Sequence, residues 1–267
     1  MRRIIALTIF SLLFISCQDI IEVDLNNADP RLVVEGNIHV SESDGTLVQS
    51  EIRLTLTAPF FDNEVPSVEN ASVEVVDELG NIYPFNHAGD EYYFGDISLE
   101  LNTNYTLQVI YEGEVYTATT THVKTPSLEY IEQRDDGGFL GDQIELKVYF
   151  QDFPNEDNYY YVNASSERGI RRNVIKDEFY DGNMIFSTYV ADDLAAGDHV
   201  RFALYGITEE YYNYMFILLQ QTGGGGGPFE TQPATVRGNI INESNPENYP
   251  LGYFRISEVS IIDYIVE

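Results

Sequence analysis

Short runs of alternating apolar and polar residues fill the chain from residue 31 onward, and no other feature limits its fold so strongly. In one such run, polar residues separate Ile52, Leu54 and Leu56. Successive side chains of a strand point to opposite faces of a sheet, so this period of two predicts a strand with one buried face. In the first part of the chain the runs cover residues 31–40, 51–57, 71–77, 105–111 and 115–122. Turn residues separate them at roughly ten-residue spacing, which is typical of a β-sandwich.

A boundary near Pro126 divides the runs into two blocks. Proline cannot donate to a strand ladder, and the block before it has the size of one sandwich. Residues 101–109 resemble the tyrosine-corner strand of immunoglobulin-like and fibronectin-like modules, with Tyr105 at the corner; an ordinary strand with an edge tyrosine is the alternative. We therefore expect a mostly β protein, with an immunoglobulin-like β-sandwich at residues 31–124 and a second β-rich domain at residues 125–267.

The second block combines strands with one helix. Tyr211, Met215 and Leu218 follow helical spacing, and Thr208 precedes them as a candidate N-terminal cap. We expect an amphipathic helix near residues 208–222 that packs on the second sheet, with its aromatic side chains in the core. The predicted strands of this block cover residues 143–151, 159–165, 184–192 and 199–206, with closing strands over 235–241, 245–256 and 259–266.

Five consecutive glycines, residues 223–227, follow the predicted helix. Ordering glycine carries a large entropic cost, so this segment is predicted to be a mobile loop. No Lys-Ser or Lys-Thr pair follows it, which excludes a phosphate-cradling loop. The alternative is a contact loop that becomes ordered on a partner.

The first seventeen residues have the pattern of a secretory signal peptide. Arg2 and Arg3 precede an apolar stretch, residues 4–15, that is too short to span a membrane. Residues 14–17 resemble the lipobox of bacterial lipoproteins, with Phe14 where leucine is usual. The resemblance implies that Cys17 becomes the mature N-terminus and carries acyl chains, which would anchor the protein stably to a membrane. A cysteine inside a discarded signal peptide is the alternative.

The expected location follows from that anchor. Residues 18–30 would form a tether, and the chain would lie at a Gram-negative outer membrane, on either the cell surface or the periplasmic face. Acidic residues just after Cys17 resemble a surface-export signal, although a solvated tether explains them equally well.

Charge and cysteine content exclude several classes of protein. The chain has 44 acidic and 14 basic residues, a formal net charge of −30. Nucleic-acid backbones are bound by lysine and arginine, so no nucleic-acid partner is expected. A single cysteine permits neither an internal disulfide nor a thiolate metal cage.

Motifs of the common catalytic classes are missing from the sequence. It has no Gly-x-Ser-x-Gly nucleophile elbow and no His-Glu-x-x-His zinc motif, and its four histidines are scattered singly. We therefore expect no enzymatic activity and no cofactor. Because glycosidases need only two well-placed carboxylates, a carboxylate-dependent glycan hydrolase is the alternative.

Two oxygen-rich loops are candidates for a calcium site. Asp152, Asn155 and Asp157 gather carboxylate and amide oxygens within one turn, and Asp135 and Asp136 lie in another. Ca²⁺ prefers such oxygen ligands, but neither loop has the EF-hand spacing. A solvated acidic turn is the alternative, and no metal site is assigned from the sequence.

Several local strings resemble an uncharacterised lipoprotein family, domain of unknown function 4249. They are the lipobox, residues 68–73, the Gly-Pro-Phe at 227–229 and the Pro-Leu-Gly-Tyr-Phe at 250–254. Its members are similar in context to accessory lipoproteins of TonB-dependent receptors, and the family defines no catalytic residue. The resemblance implies a membrane-anchored, non-catalytic binding or accessory subunit of a nutrient receptor. A glycan hydrolase and a structural surface adhesin are the alternatives, and the sequence identifies no ligand-binding residue.

Overall fold

The computed structural model describes residues 29–59, 62, 64–138, 140–222 and 236–267. Cys17, the tether up to residue 28 and the five glycines at 223–227 lie outside the described residues. Within them the chain is mostly β, as predicted, with fifteen strands and one helix. No helix in this part is long and apolar enough to cross a membrane.

The first module contains seven strands before residue 122. Five of them match the alternating runs within one residue at each end, apart from the second, which begins at Leu47 rather than at 51, and the strands Ile82–Gly89 and Tyr92–Phe94 were not predicted. The two-residue hairpin turn between the sixth and seventh strands has positive φ at both positions, 49° at Glu112 and 81° at Gly113, as a type I′ turn requires. The strands are β1 (Leu32–Ser41), β2 (Leu47–Leu56), β3 (Ser72–Asp77), β4 (Ile82–Gly89), β5 (Tyr92–Phe94), β6 (Asn104–Tyr111) and β7 (Glu114–Thr121).

The second half contains the remaining strands and the helix. Its strands are β8 (Leu128–Gly137), β9 (Gln143–Gln151), β10 (Tyr159–Ser166), β11 (Gly169–Lys176), β12 (Met184–Val190), β13 (His199–Ile207), β14 (Ile241–Asn242) and β15 (Leu251–Ile265). The helix α1 (Glu209–Thr222) begins where it was predicted, and the Tyr211 backbone N–H donates to the Thr208 hydroxyl, 3.3 Å away, as in an N-terminal cap.

The strands form one continuous ladder and one small sheet. The ladder has the order β11-β10-β13-β15-β1-β2-β5-β4-β3-β6-β7-β14, and the small sheet has the order β12-β9-β8. The β1–β2–β5 and β3–β6–β7 parts of the ladder enclose a first core, which includes Val34, Leu54 and Leu107. The other end of the ladder packs with the small sheet around a second core, which includes Phe150 and Phe202.

Tyrosine hydroxyls fasten two loops of the first module. The Tyr105 hydroxyl accepts from the Glu100 backbone N–H at 2.8 Å and donates to the Ser98 carbonyl at 3.4 Å, which confirms the predicted tyrosine corner. Tyr93 makes a second connection of this kind, because its hydroxyl accepts from the Ala71 N–H and donates to the Val68 carbonyl. The string at residues 68–73 is therefore held by a buried tyrosine rather than by a ligand.

Strand β15 belongs to both modules. Its first part pairs in parallel with β1, from Val33↔Leu251 to Ser41↔Val259, and its second part pairs antiparallel with β13. The strands expected over 245–256 and 259–266 are thus one strand of 15 residues. The domain bounds 31–124 and 125–267 stay predictions. The pairing shows in addition that β15, a strand of the second half, completes the first sandwich.

The two faces of β15 have different surroundings, because side chains alternate along a strand. Phe254 and Ile256 are fully buried in the first core. Tyr253 lies on the opposite face with Arg255, where Tyr211 and Met215 of α1 pack over it. As predicted, the helix is amphipathic and packs on the part of the ladder that the strands of the second half form. Not all of its aromatic side chains are in the core, because Phe216 is 46% exposed.

Candidate functional site

A cavity of about 780 Å³ lies between helix α1 and the paired strands β1 and β15. Its size is within the range of small-molecule sites, roughly 300–1,000 Å³. Tyrosine is its main aromatic component, and its lining includes Glu35, Tyr161, Tyr211, Tyr214, Tyr253 and Arg255. The cavity therefore combines apolar ring surface with a few charged groups. It lies where β1 pairs with β15, which we call the seam of the two modules.

Arg255 is the buried charged group of this cavity, with 8% of its surface exposed. Its Nε donates to Asn37 Oδ1 at 3.0 Å, and its Nη2 donates to His39 Nε2 at 3.2 Å. Its Nη1 is buried and has no hydrogen-bond partner. Leaving a charged donor buried and unsatisfied is costly, so this guanidinium is a candidate for function rather than for stability alone.

Aromatic rings surround the guanidinium in place of a carboxylate. Its Cζ lies 4.5 Å from the ring centroid of Tyr205, 5.1 Å from that of Tyr211 and 5.3 Å from that of Tyr161. Such contacts stabilise a cation in part, by about 0.5–2 kcal/mol each. Among the described residues, no carboxylate forms an ion pair with Arg255.

The protonation states of the neighbours leave the charge of Arg255 uncompensated. Glu35, the carboxylate of the cavity lining, already pairs with Arg53 at 2.5 Å. Burial raises the pKa of Tyr161 and the pKa of Tyr214 to about 12, so neither ring forms a phenolate near neutral pH. The positive charge in the cavity is therefore partnered only by neutral groups.

Two buried histidines lie on the same seam, His39 in contact with Arg255 and His122 close to His39. Burial, and then the charge of Arg255, lower the pKa of His39 well below its usual value, which keeps Nε2 free to accept from the guanidinium. Burial also lowers the pKa of His122, and the backbone of Glu100 opposes this shift, although neither ring nitrogen makes a hydrogen bond of normal geometry. The Ser257 hydroxyl next to them is likewise buried without a partner. The seam therefore concentrates unsatisfied polar atoms.

These histidines predict a loss of stability in mild acid. The ordinary pKa of 6.5 applies to the unfolded chain, and the folded pKa is lower, so the unfolded state binds more protons below about pH 6.5. Stability is then fully present above that pH and falls as the pH drops below it. The slope approaches about 1.4 kcal/mol per pH unit for each histidine that remains neutral in the fold. Urea unfolding at pH 7.5, 6.5 and 5.5 measures it.

The double variant with His39→Gln and His122→Gln is the control. Glutamine at position 39 can still accept from Arg255 but does not titrate, so the dependence between pH 5.5 and 7.5 should flatten. The control is needed because burial raises the pKa of Glu258 and the pKa of Asp177, which acts in the opposite direction at lower pH. An equally steep profile in the double variant would exclude the histidines as the cause.

The structure separates the three calcium candidates. Asp152 is 2% exposed; its Oδ1 accepts from the Tyr160 hydroxyl at 2.5 Å and its Oδ2 from the Gly182 N–H at 2.9 Å. Asn155 and Asp157 instead line a surface pocket of about 400 Å³ among four other residues, all acidic. Within the described ranges, no three His, Cys, Asp or Glu side chains are placed to hold a metal ion. Calcium binding stays a prediction.

The same pocket contains the group most relevant to the hydrolase alternative. Burial, followed by the charges of nearby carboxylates, raises the pKa of Asp177. Its Oδ2 accepts from the Asn158 N–H at 2.9 Å, and Asp152, whose charge raises this pKa further, has both oxygens engaged in structural hydrogen bonds. The carboxylate pair thus supports the turn, and hydrolysis stays a prediction.

Sequence analysis did not identify the Arg255 site. The usable signal is a single arginine within an apolar strand, since residues 253–257 of β15 are all buried. A charged residue in such a run is almost never fully buried unless it is paired. The cavity itself depends on a residue pair, Asn37 and Arg255, that is 218 positions apart.

The fold and site define a class: a mostly β protein of two joined sandwiches. Two solved structures are matched by this chain at low overall superposition. One is a two-domain fibronectin type III segment of chicken tenascin, at 16% identity, covering 67% of this chain and 91% of that one, with a TM-score of 0.21. The other is the FN1–FN3 domains of chicken CNTN1, at 12% identity, covering 68% and 62%, with a TM-score of 0.25.

The chain belongs to the family described as domain of unknown function (DUF4249), whose model matches residues 18–261. This confirms the resemblance found in the sequence. The comparison with curated proteins found no match. Of the strings that carry the resemblance, residues 68–73 and 250–254 lie in the first core and at the seam, and residues 227–229 lie outside the described residues.

Proposed function

We propose that this protein is a lipid-anchored, non-catalytic binding subunit that assists an outer-membrane nutrient receptor of the TonB-dependent class. The acyl chains on Cys17 would hold it at the membrane, and residues 18–30 would give the β body reach above the surface. Its partners would be the bilayer and the receptor, and it would work without a cofactor.

The cavity beside Arg255 is the observation that carries this proposal. A buried guanidinium without a carboxylate, in a cavity of ligand size, is an arrangement suited to holding a molecule. The groups that contact it are tyrosine rings, a histidine and an amide, which can bind and orient a ligand. Capture of a nutrient for transfer to a receptor needs no more than this.

Co-purification from native outer membranes tests the proposal. The chain carries a C-terminal affinity tag, the membranes are solubilised in a mild detergent, and mass spectrometry identifies proteins enriched with it. We expect one outer-membrane receptor to be recovered in near-stoichiometric amount. The matched control is Cys17→Ser, which should lose the acyl chains, the membrane fraction and the receptor together.

Two outcomes contradict the proposal. An acylated chain recovered from outer membranes without any receptor would remove the partner. A mature protein whose N-terminus lies downstream of Cys17 and bears no acyl chain would remove the anchor. The glycan hydrolase and the surface adhesin would then be the remaining predictions.

A further inference from the structure

We propose that the Arg255 cavity binds a small organic anion, whose carboxylate or phosphate accepts hydrogen bonds from Arg255 and whose body packs against tyrosine rings. This inference rests on the proposed function, since it names the class of molecule that the subunit would hold. It can nevertheless be tested on the purified protein, without a receptor.

The charge around the cavity is the reverse of the charge of the whole chain. Acidic residues outnumber basic ones about threefold in the sequence. The lining contains two arginines, Arg255 and Arg172, and one carboxylate, Glu35, which is already paired with Arg53. A negatively charged protein repels anions in general, so a locally positive cavity favours anion binding at this place.

The guanidinium has donor capacity that the protein leaves unused. An arginine carries five N–H donors; Arg255 donates one from Nε and one from Nη2, and its guanidinium also lies within hydrogen-bonding reach of the Tyr205 hydroxyl. Nη1 has none and is shielded from solvent. A carboxylate or a phosphate can accept two parallel bonds from such a group, which makes these anions its natural partners.

The fixed environment of Arg255 favours binding. Asn37 and His39 hold the guanidinium from one side, and the rings of Tyr161, Tyr205 and Tyr211 surround it. Side-chain freedom is thus already lost before a ligand arrives, which lowers the entropic cost of binding. Because Nη1 is shielded by its neighbours, ring positions must shift on binding, and near-ultraviolet circular dichroism of the tyrosines should report the event.

Four probes define the experiment: benzoate, phenyl phosphate, inorganic phosphate and the neutral benzyl alcohol. Each is titrated calorimetrically into the full chain in detergent at low salt. We expect benzoate or phenyl phosphate to bind at least tenfold tighter than benzyl alcohol, and inorganic phosphate to bind more weakly than phenyl phosphate. The ratio of benzoate to phenyl phosphate affinity decides between a carboxylate and a phosphate ligand.

Arg255→Met retains the length of the side chain and removes its donors, so it should lose the preference for the anion. Arg201→Met is the matched control, because Arg201 lies on the exposed surface in an ion pair with Asp263. It should bind every probe as the parent chain does. If Arg255→Met does not fold, the preference of the parent chain for anions still decides the question.

Absence of binding, equal affinity for benzoate and benzyl alcohol, or unchanged anion binding in folded Arg255→Met would each overturn the inference. None of these results bears on recovery of a receptor. If a receptor is recovered but the cavity does not prefer anions, the proposed function is retained and only this inference is lost. If anions bind but no receptor is recovered, only the accessory role is lost.

Discussion

A fragment of residues 29–124 is expected to show no cooperative unfolding transition, although it contains β1 to β7. It lacks β15, the parallel partner of β1 along nine residue pairs. It also lacks Ile240, Phe254 and Ile256, which are buried in the first core. Removing such side chains costs about 2–5 kcal/mol each, so the loss is on the order of 10 kcal/mol, comparable with the whole stability of a domain. Thermal unfolding followed by circular dichroism measures it.

A pair of variants in the full chain tests, without truncation, whether buried side chains of β15 stabilise the first core. Phe254→Ala should lower the free energy of unfolding by about 3–5 kcal/mol, because the ring is fully buried. Ile261→Ala lies on the same strand at a 43% exposed position and should cost less than about 1 kcal/mol. A fragment that unfolds cooperatively, or equal effects of the two variants, would show that the first sandwich does not depend on the end of the chain.

Gly252→Ala is expected to destabilise the seam strongly, although it adds only one methyl group. Gly252 pairs with Val34, its φ is +94°, and a Cβ there would lie 2.0 Å from the Val34 carbonyl oxygen. The methyl group therefore meets backbone that cannot rotate away, on a residue whose φ already strains an L-amino acid. We expect a loss of more than about 4 kcal/mol, or failure to fold, measured as a lower urea midpoint.

Gly113→Ala separates the cost of the steric clash from the cost of the positive φ. Gly113 also has a positive φ, +81°, but nothing lies within 4 Å of the position of its Cβ. Only the backbone conformation is penalised there, which costs about 1–2 kcal/mol. If both variants lost the same stability, the close approach of β15 to β1 would have no energetic consequence, and the glycine of the family string at 250–254 would need another explanation.

Local patterns were sufficient to predict most strands, the helix and its cap, because these depend on neighbours in sequence. Residues 143–151 form β9 with the predicted ends, and Tyr105 forms its corner. Strands β4, β5, β8 and β11 were not predicted, and the strand expected over 235–241 is reduced, among the described residues, to β14 at its end. The residues of the edge strand β11 are largely exposed and show little alternation. The course of β15 was divided in error, because its residues are buried almost continuously from Tyr253 to Ser260 and have no period of two to detect.

The site was beyond sequence reasoning for a different reason. The partners of Arg255 come from β1, β10, β13 and α1, which only the fold brings together. The candidate calcium residues illustrate the reverse situation. They are close in sequence, yet Asp152 turns inward to Tyr160 while Asp157 faces solvent, because a strand end and a turn orient adjacent side chains differently.

Pairing the last strand with the first affects when this protein can acquire its structure. The Asn37–Arg255 contact joins residues 218 positions apart. At about 5–20 residues per second, a ribosome needs roughly 10–40 s to make the chain between them. Through that interval the newly made β1 has an open edge, which exposes it to pairing with another nascent chain. Completion of both sandwiches then waits for β15, which pairs with strands of each module.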